Sequence, residues 1–314
     1  MAVATDKADR ISTEALRQDA ERRKLEDIGA RDAARIGRNL SIAVMYAYRN
    51  TESISAAVGT TLGAFSMLLT DSMTAAHLTG RLRGMLAMAA ALKRRSASRG
   101  FAKTPYAEAQ KFLQARLALS DLQIGAVSSM YGSTAVDVTR NLGIEIELAA
   151  RKATAEAVAE GMHVRESMTH LRSALEKKGV TGAKSHLLET LVRTQTQLGY
   201  AAGRWRVNQD LAIQEILWGY RYVTAGDDRV RPNHFLLEGT TLPKDHPRWQ
   251  EIWPPNGFSC RCTTVEIFKS DRAEAVMVEP PAFGMFEGRR VAIVPDKDFA
   301  FNPGMVFPDT LPIR

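Results

Sequence analysis

Apolar residues recur along most of this chain with the period of an amphipathic helix, and the pattern changes abruptly near Trp218. Over residues 13–49 proline is absent and Ala, Arg, Glu and Asp dominate. Leu16, Leu25, Ile28, Ile36 and Leu40 form a sparse apolar stripe there. This predicts a long helix with a narrow buried face, which needs a partner helix or subunit because propensity alone is marginal. A second helix is predicted over 52–95. Its apolar run from Ile54 to Leu69 is shorter than a bilayer requires and contains Ser55, Thr60, Thr61 and Ser66, so it reads as a buried helix rather than a membrane span. RSASRG, 95–100, reads as a loop. Thr104 then caps, and Pro105 opens, a helix over 106–119. The stretch 123–143 is ambiguous, because its β-branched residues and glycines also permit irregular structure. Another helix is predicted over 144–177, with Ile144, Leu148, Ala155, Val158 and Met162 on one face. Lys177, Lys178 and Gly179 form its stop signal. A further helix follows Gly182, through Leu187, Leu191, Leu198 and Ala201.

From Trp218 the chain becomes rich in Gly, Pro, Asp, Thr and aromatics. WGYRYVTAG predicts a strand entering a turn, and CTTVEIF a short β-branched strand. The prolines and aromatics of the tail predict extended segments lying on another surface. The fold class is therefore α+β. A long, mainly helical N-terminal region (1–179) precedes a small mixed α+β C-terminal module (180–270) and an extended tail (271–314). No internal repeat interrupts this order.

Composition sharpens the picture. The 314 residues are 45% hydrophobic but only 7% aromatic, as suits a largely helical protein. The formal charge of +7 favours an anionic partner without naming one. Between Ser72 and Ala107 stand seven basic residues and no acidic one: Arg81, Arg83, Lys93, Arg94, Arg95, Arg99 and Lys103. Such a block is either a solvated face or a contact for nucleic acid or an acidic protein surface. Two cysteines cannot build a disulfide framework, and the charged N-terminus lacks the apolar core of a signal peptide. Synthesis in a reducing cytosol is expected.

The chemistry-bearing residues crowd into one stretch, WGYRYVTAGDDRVRPNHFLLEGTTLPKDHPRWQEIWPPNGFSCRC. Asp227 and Asp228 are followed by Arg229, Arg231 and His234. Gly239 marks a turn, and Pro254, Pro255 and Gly257 precede Cys260 and Cys262. This order resembles the head morphogenesis family of phage minor head proteins, the Mu F-like group. The resemblance extends upstream to Leu191-Val192-Arg193-Thr194 and to Gly203-Arg204. The first half of the chain carries no matching motif.

Three readings of the cysteines stay open. In the first, the loop is a metal-free turn. Arg229 or Arg231 pairs with Asp227 or Asp228, His234 bonds locally and the thiols fill small core spaces. This is the reading the residue types favour, and it needs no cofactor. In the second, His234, Cys260 and Cys262 hold zinc, with His246 as a fourth ligand. The resemblance implies a C-x-x-C in some relatives where this chain has Arg231 and His234, so the ligand set here departs from four cysteines. A C-x-C in a regular strand would also hold its side chains too far apart for one metal unless the backbone turns. In the third, Cys260 is a nucleophile with His234 as its base, which needs an exposed, electropositive setting. A redox pair is disfavoured by the strained ring that one intervening residue gives. His77, His163, His170 and His186 read as ordinary histidines.

The resemblance implies a non-enzymatic minor head protein, located in the virion at the capsid interior or portal region and in the host cytoplasm during assembly. The implied partners are the portal protein, capsid proteins and packaged DNA, with no membrane. The alternatives are a Cys/His- or metal-dependent enzyme and a plain nucleic-acid-binding protein.

Overall fold

A computed structural model of the chain describes residues 2–50, 53–96, 121–160, 162–179, 186–269 and 276–307. The predicted cap and helix of 104–119, and most of the RSASRG loop, lie outside the described residues. Five long elements dominate: α1 (Ala2–Arg49), α2 (Ile54–Ser96), α3 (Asp121–Ala159), α4 (Val164–Lys177) and α5 (His186–Asn208). Short elements follow: α6 (Leu211–Ile216), β1 (Leu217–Val223), α7 (Pro232–Phe235), β2 (Thr241–Pro243), a 3₁₀ turn (Pro247–Gln250), β3 (Thr263–Phe268), β4 (Phe283–Phe286), β5 (Arg289–Ala292) and α8 (Pro303–Val306). The α+β class holds.

The chain forms two compact units that interleave in sequence. One comprises residues 25–74 and 128–196, the other residues 1–24, 75–127 and 197–314. The first is a helical bundle. Ile36, Leu40 and Val44 of α1 pack with Val58, Leu62, Phe65 and Leu69 of α2, Leu142 and Ile146 of α3, Leu171 and Leu175 of α4, and Leu188 and Val192 of α5. Each such fully buried side chain contributes about 1.5–3 kcal/mol, more than the few tenths that separate most helix propensities, so packing decides these helices.

Packing also redraws the predicted faces. Leu16 and Ile28 are exposed, while the buried side of α1 runs through Ala15, Gln18, Arg22, Glu26, Ala30 and Ala33. Hydrophobicity could not mark that stripe because part of it is polar. In α3, Ile144, Leu148 and Ala155 face outward, and Leu142, Ile146, Ala150, Ala153 and Ala157 face inward. Both faces are apolar enough to serve, and the neighbouring helices select one. The ambiguous stretch 123–143 is helical, buried through Val127, Tyr131, Ala135, Thr139 and Leu142. The predicted 144–177 helix breaks in two. α3 ends at Ala159, and α4 restarts where the main-chain N–H of His163 donates to Glu166 at 3.1 Å. The stop at Gly179 is as expected, with φ +68° and its N–H on the Glu176 carbonyl. Over Ile54–Ala89, α2 is long and apolar enough to cross a membrane by length and composition. It buries one stripe only, through Val58, Leu62, Phe65, Leu69, Met73 and Ala76, while Met67 is exposed.

The second unit carries the sheet. β1 lies between β2 and β3, antiparallel to both, with Tyr220 opposite Leu242 on one side and Glu266 on the other. Its core gathers Tyr220, Tyr222, Leu237, Leu242, Trp249, Trp253, Cys260, Cys262 and Ile293. Trp253 meets Trp205 and Tyr220 edge-on at 4.7 and 4.8 Å between ring centroids, the arrangement aromatic quadrupoles favour. The tail is less extended than expected. β4 and β5 pair through a two-residue turn with positive φ at Glu287 and Gly288, the hairpin geometry that suits strand twist. The tail then lies on the module, burying Ile293 and Phe299 and sending the Asn302 amide to the Trp249 carbonyl at 3.1 Å.

α2 and α5 approach at two glycines. A Cβ on Gly80 would lie 2.2 Å from the Tyr200 carbonyl oxygen, and one on Gly203 would lie 2.1 Å from that of His77. Both clashes are with backbone, which cannot rotate away. Gly80→Ala or Gly203→Ala is therefore expected to destabilise the chain by about 1–3 kcal/mol or more. Gly59→Ala and Gly63→Ala, exposed helix positions with open space around them, should stabilise it by up to about 1 kcal/mol. Denaturant unfolding of the four variants checks this.

Candidate functional site

The turn after β1 is organised by Asp227. Its carboxylate accepts the main-chain N–H of Arg229 at 3.2 Å, the Arg229 guanidinium at 3.2 Å and both Nη atoms of Arg261. Arg261, the middle residue of the C-R-C, is thus the bidentate partner and holds the Asp227 carboxyl well below the usual carboxylate range. Of the pairings expected from sequence, Arg229 with Asp227 forms, and Asp228 is exposed. Arg231 instead donates to the Phe258 carbonyl at 2.7 Å and pairs with Asp296 at 3.2 Å. Asp296 sits in the tail, where no sequence signal pointed to it. It also explains Gly257, whose Cβ would lie 2.2 Å from an Asp296 carboxylate oxygen.

Pro232 opens the one-turn helix α7 and delivers His234 into the core, 1% exposed. The ring nitrogen Nε2 lies 3.1 Å from the main-chain carbonyl of Asn256. A carbonyl only accepts, so Nε2 carries the proton and Nδ1 presents a lone pair. Pro254 and Pro255, joined by a cis peptide, lead into Asn256, which is fully buried and donates from Nδ2 to the Tyr222 hydroxyl at 2.9 Å. Ser259 at φ +52° then turns the chain before β3 begins. This turn brings both cysteines to one nitrogen: Cys260 Sγ is 3.7 Å and Cys262 Sγ 3.9 Å from His234 Nδ1. The backbone does turn, as a shared site requires. Burial opposes ionisation of Cys260, yet its contacts with Cys262 and the His234 imidazole hold its thiol well below its ordinary value. Cys262 is pushed well above, first by its hydrogen bond with Cys260 and then by burial.

Gly239 serves as the predicted turn, with φ +74° and its N–H on the Tyr222 carbonyl. His246 is elsewhere. It caps the 3₁₀ turn through Nδ1, with Nε2 3.7 Å from Glu279, and does not join the cysteines. Among the described residues, the group able to share a metal is His234, Cys260 and Cys262.

The loop is held from behind by charges that sequence reading missed. Arg204 is 3% exposed. Its Nη1 donates to Gln18 at 2.7 Å, to Thr263 at 3.1 Å and to the Thr264 carbonyl at 2.8 Å, and its Nη2 pairs with the buried Glu266. Gln197 donates to the Cys262 carbonyl at 3.3 Å. The only signal was Gly203-Arg204 itself, part of the family resemblance.

The basic block is described only in part, at Arg81 and Arg83. Arg81 is buried, and Arg83 is 14% exposed and pairs with Glu14 at 3.1 Å and Glu21 at 3.6 Å. These two charges are engaged inside the protein rather than offered to an anionic surface. The side chains of Lys93, Arg94 and Arg95, and all of Arg99 and Lys103, lie outside the described residues. His170 binds Glu156 at 2.9 Å, and the side chain of His186 is outside the described residues. The cavity beside Cys262 has a volume of about 10 Å³, roughly one water. A groove of about 710 Å³ between α2 and α3, edged by Met67, Val136 and Ile144, contains no cysteine or histidine.

Residues 149–265 match the family described as Phage Mu protein F like protein. The match spans α5, the sheet and the Asp-Arg-His-Cys turn. Over these residues the chain is similar to that family. It is 32% identical over 124 residues to the Mu-like prophage FluMu F protein of Haemophilus influenzae, covering 36% of this chain and 30% of that protein. It is 24% identical over 212 residues to a protein of Escherichia phage Mu provisionally named capsid assembly protein F, covering 55% of this chain and 46% of that one. A 47-residue stretch is 45% identical to an uncharacterized protein of Methanocaldococcus jannaschii. The chain thus spans less than half the length of each relative it matches. No solved structure matches it.

Two outcomes follow from the charges in and behind this turn. Glu266→Gln, which leaves Arg204 buried without its counter-charge, should cost about 3–5 kcal/mol in denaturant unfolding. Asp227 has a folded-state pKa below its unfolded value of about 3.9, so its contribution is complete above that value and fades as pH falls through it. The stability gap between the wild type and Asp227→Asn should be full near pH 6 and narrow steadily below about pH 4.

Proposed function

We propose that this chain is a phage minor head protein that acts in capsid assembly, at the portal or the capsid interior. The observation that carries this reading is the Mu F-like match over residues 149–265, joined to alignment over 55% of the chain with a phage Mu protein named for capsid assembly. The geometry agrees with a scaffold role. The motif residues build a braced turn, and His234, Cys260 and Cys262 are all buried. A catalytic Cys260 would need a route for substrate, and the adjoining cavity is about the size of one water.

The partners in this reading are the portal protein, other head proteins and packaged DNA. DNA contact rests on the charge pattern of Lys93, Arg94, Arg95, Arg99 and Lys103 and on the net charge of +7.

Expression with the other head proteins of the same phage, followed by gradient purification and mass spectrometry, tests the assembly role. The chain should travel with heads, and its omission should leave heads malformed or missing. Normal heads lacking the chain would overturn the reading. For DNA, affinity should fall steeply with salt. The Lys93→Ala, Arg94→Ala, Arg95→Ala variant should flatten the log–log slope by up to about 3, near 0.9 for each lost phosphate contact.

A further inference from the structure

Two thiols and one imidazole nitrogen converge where packing alone requires no convergence. A cysteine that only fills core space can point its sulfur toward any apolar neighbour. Here both sulfurs face His234 Nδ1, at 3.7 and 3.9 Å, and the three donor atoms lie within 4.8 Å of one another. With Zn–N of about 2.0–2.1 Å and Zn–S of about 2.3 Å, a tetrahedral site has N···S edges of about 3.6 Å and an S···S edge of about 3.8 Å. The two N···S contacts match their edge to within a few tenths of an ångström, and the two sulfurs lie within 4.8 Å of each other. We propose that His234, Cys260 and Cys262 form a binding site for one zinc ion, which staples α7 to the loop that enters β3.

The surroundings are those of a ligand set rather than of a chance cluster. The proton on Nε2 is fixed by the Asn256 carbonyl at 3.1 Å, with Asp296 a further 3.7 Å contact, so the ring nitrogen facing the sulfurs is the free lone pair. Metal-binding histidines are oriented by such an outer partner. Nδ1 has only weak S–H donors at these contacts, a poor exchange for the water it lost on burial. Two thiolates around a divalent zinc leave no net charge, so the buried site would carry none. Soft sulfur donors with one imidazole select zinc over magnesium or calcium.

A second, independent observation marks the same shell. Asn256 is fully buried, its main chain touches His234, and its side-chain Oδ1 has no hydrogen-bond partner. Orphaned buried oxygens are uncommon in native proteins and call for an explanation. The three side chains leave one tetrahedral position, which an oxygen donor such as water would complete. The site is structural by this account: it joins two turns and lies beside a cavity of about one water. This inference does not depend on the head-assembly reading. A zinc-free head protein and a zinc-bound protein of another role are both distinguishable outcomes.

The test uses the full chain purified without a histidine tag. Elemental mass spectrometry should find about one zinc per chain. Chelation should lower Tm, and added zinc should restore it in a concentration-dependent way. Cobalt in place of zinc should give thiolate-to-cobalt charge-transfer absorption and the intense visible bands of a tetrahedral site. His234→Gln and the Cys260→Ser, Cys262→Ser variant should lose both metal and absorption. His246→Ala should keep them, because His246 stands outside the cluster. If the cysteine variant fails to fold, chelation and restoration of the wild type decide alone. Wild-type protein that holds no zinc after exposure to it, shows no shift in Tm and gives no cobalt absorption would overturn the site and leave a metal-free turn.

Discussion

The buried guanidinium of Arg204 is the constraint around which the C-terminal module is arranged. A charge 3% exposed survives only if its donors are met, and they are met by three elements at once: Gln18 of α1, Thr263 and the Thr264 carbonyl at the start of β3, and Glu266 within it. Burial disfavours the charge on Arg204, but Glu266 outweighs it and keeps the arginine charged. The position of β3 along α5 is therefore fixed by charge geometry rather than by apolar contact. The cysteines stand immediately before β3, so the register of that strand is also the register of Cys260 and Cys262.

The second constraint is contact between backbones. Gly80 and Gly203 let α2 and α5 meet so closely that a methyl group fits at neither position. Gly203 and Arg204 are adjacent, so one turn of α5 both presses on α2 and pairs with β3. This explains physically why that pair belongs with the downstream motif. Around it the turn residues pair with one another: Asp227 grips Arg261, Arg231 grips Asp296, and Asn256 links His234 to Tyr222. The tail supplies Asp296 and Asn302 and so completes the module rather than merely covering it.

In this arrangement the motif residues have a bracing part in the fold. The conspicuous residues brace one another, and His234, Cys260 and Cys262 are buried. Of the basic block, Arg81 is buried and Arg83 is held by Glu14 and Glu21.

The sequence by itself determined the α+β class, the strands around Tyr220 and Val265, the helix stop at Gly179 and the cluster of motif residues. These rest on local chemistry: periodicity, β-branching, proline and glycine. It also held the resemblance that the family match bears out. Tertiary structure alone decided which face each helix buries, because Ile144 and Leu148 were as apolar as Leu142 and Ile146 and only the neighbouring helices could choose. It decided that α1 would bury Gln18, Arg22 and Glu26, since a polar residue enters a core only where distant partners meet it. It decided that Arg261 rather than Arg231 would hold Asp227. It also decided that two cysteines and a histidine 26 residues upstream of the first would share one point in space, because that depends on a backbone turn at Ser259 and on strand register, neither of which is written in the spacing of the motif.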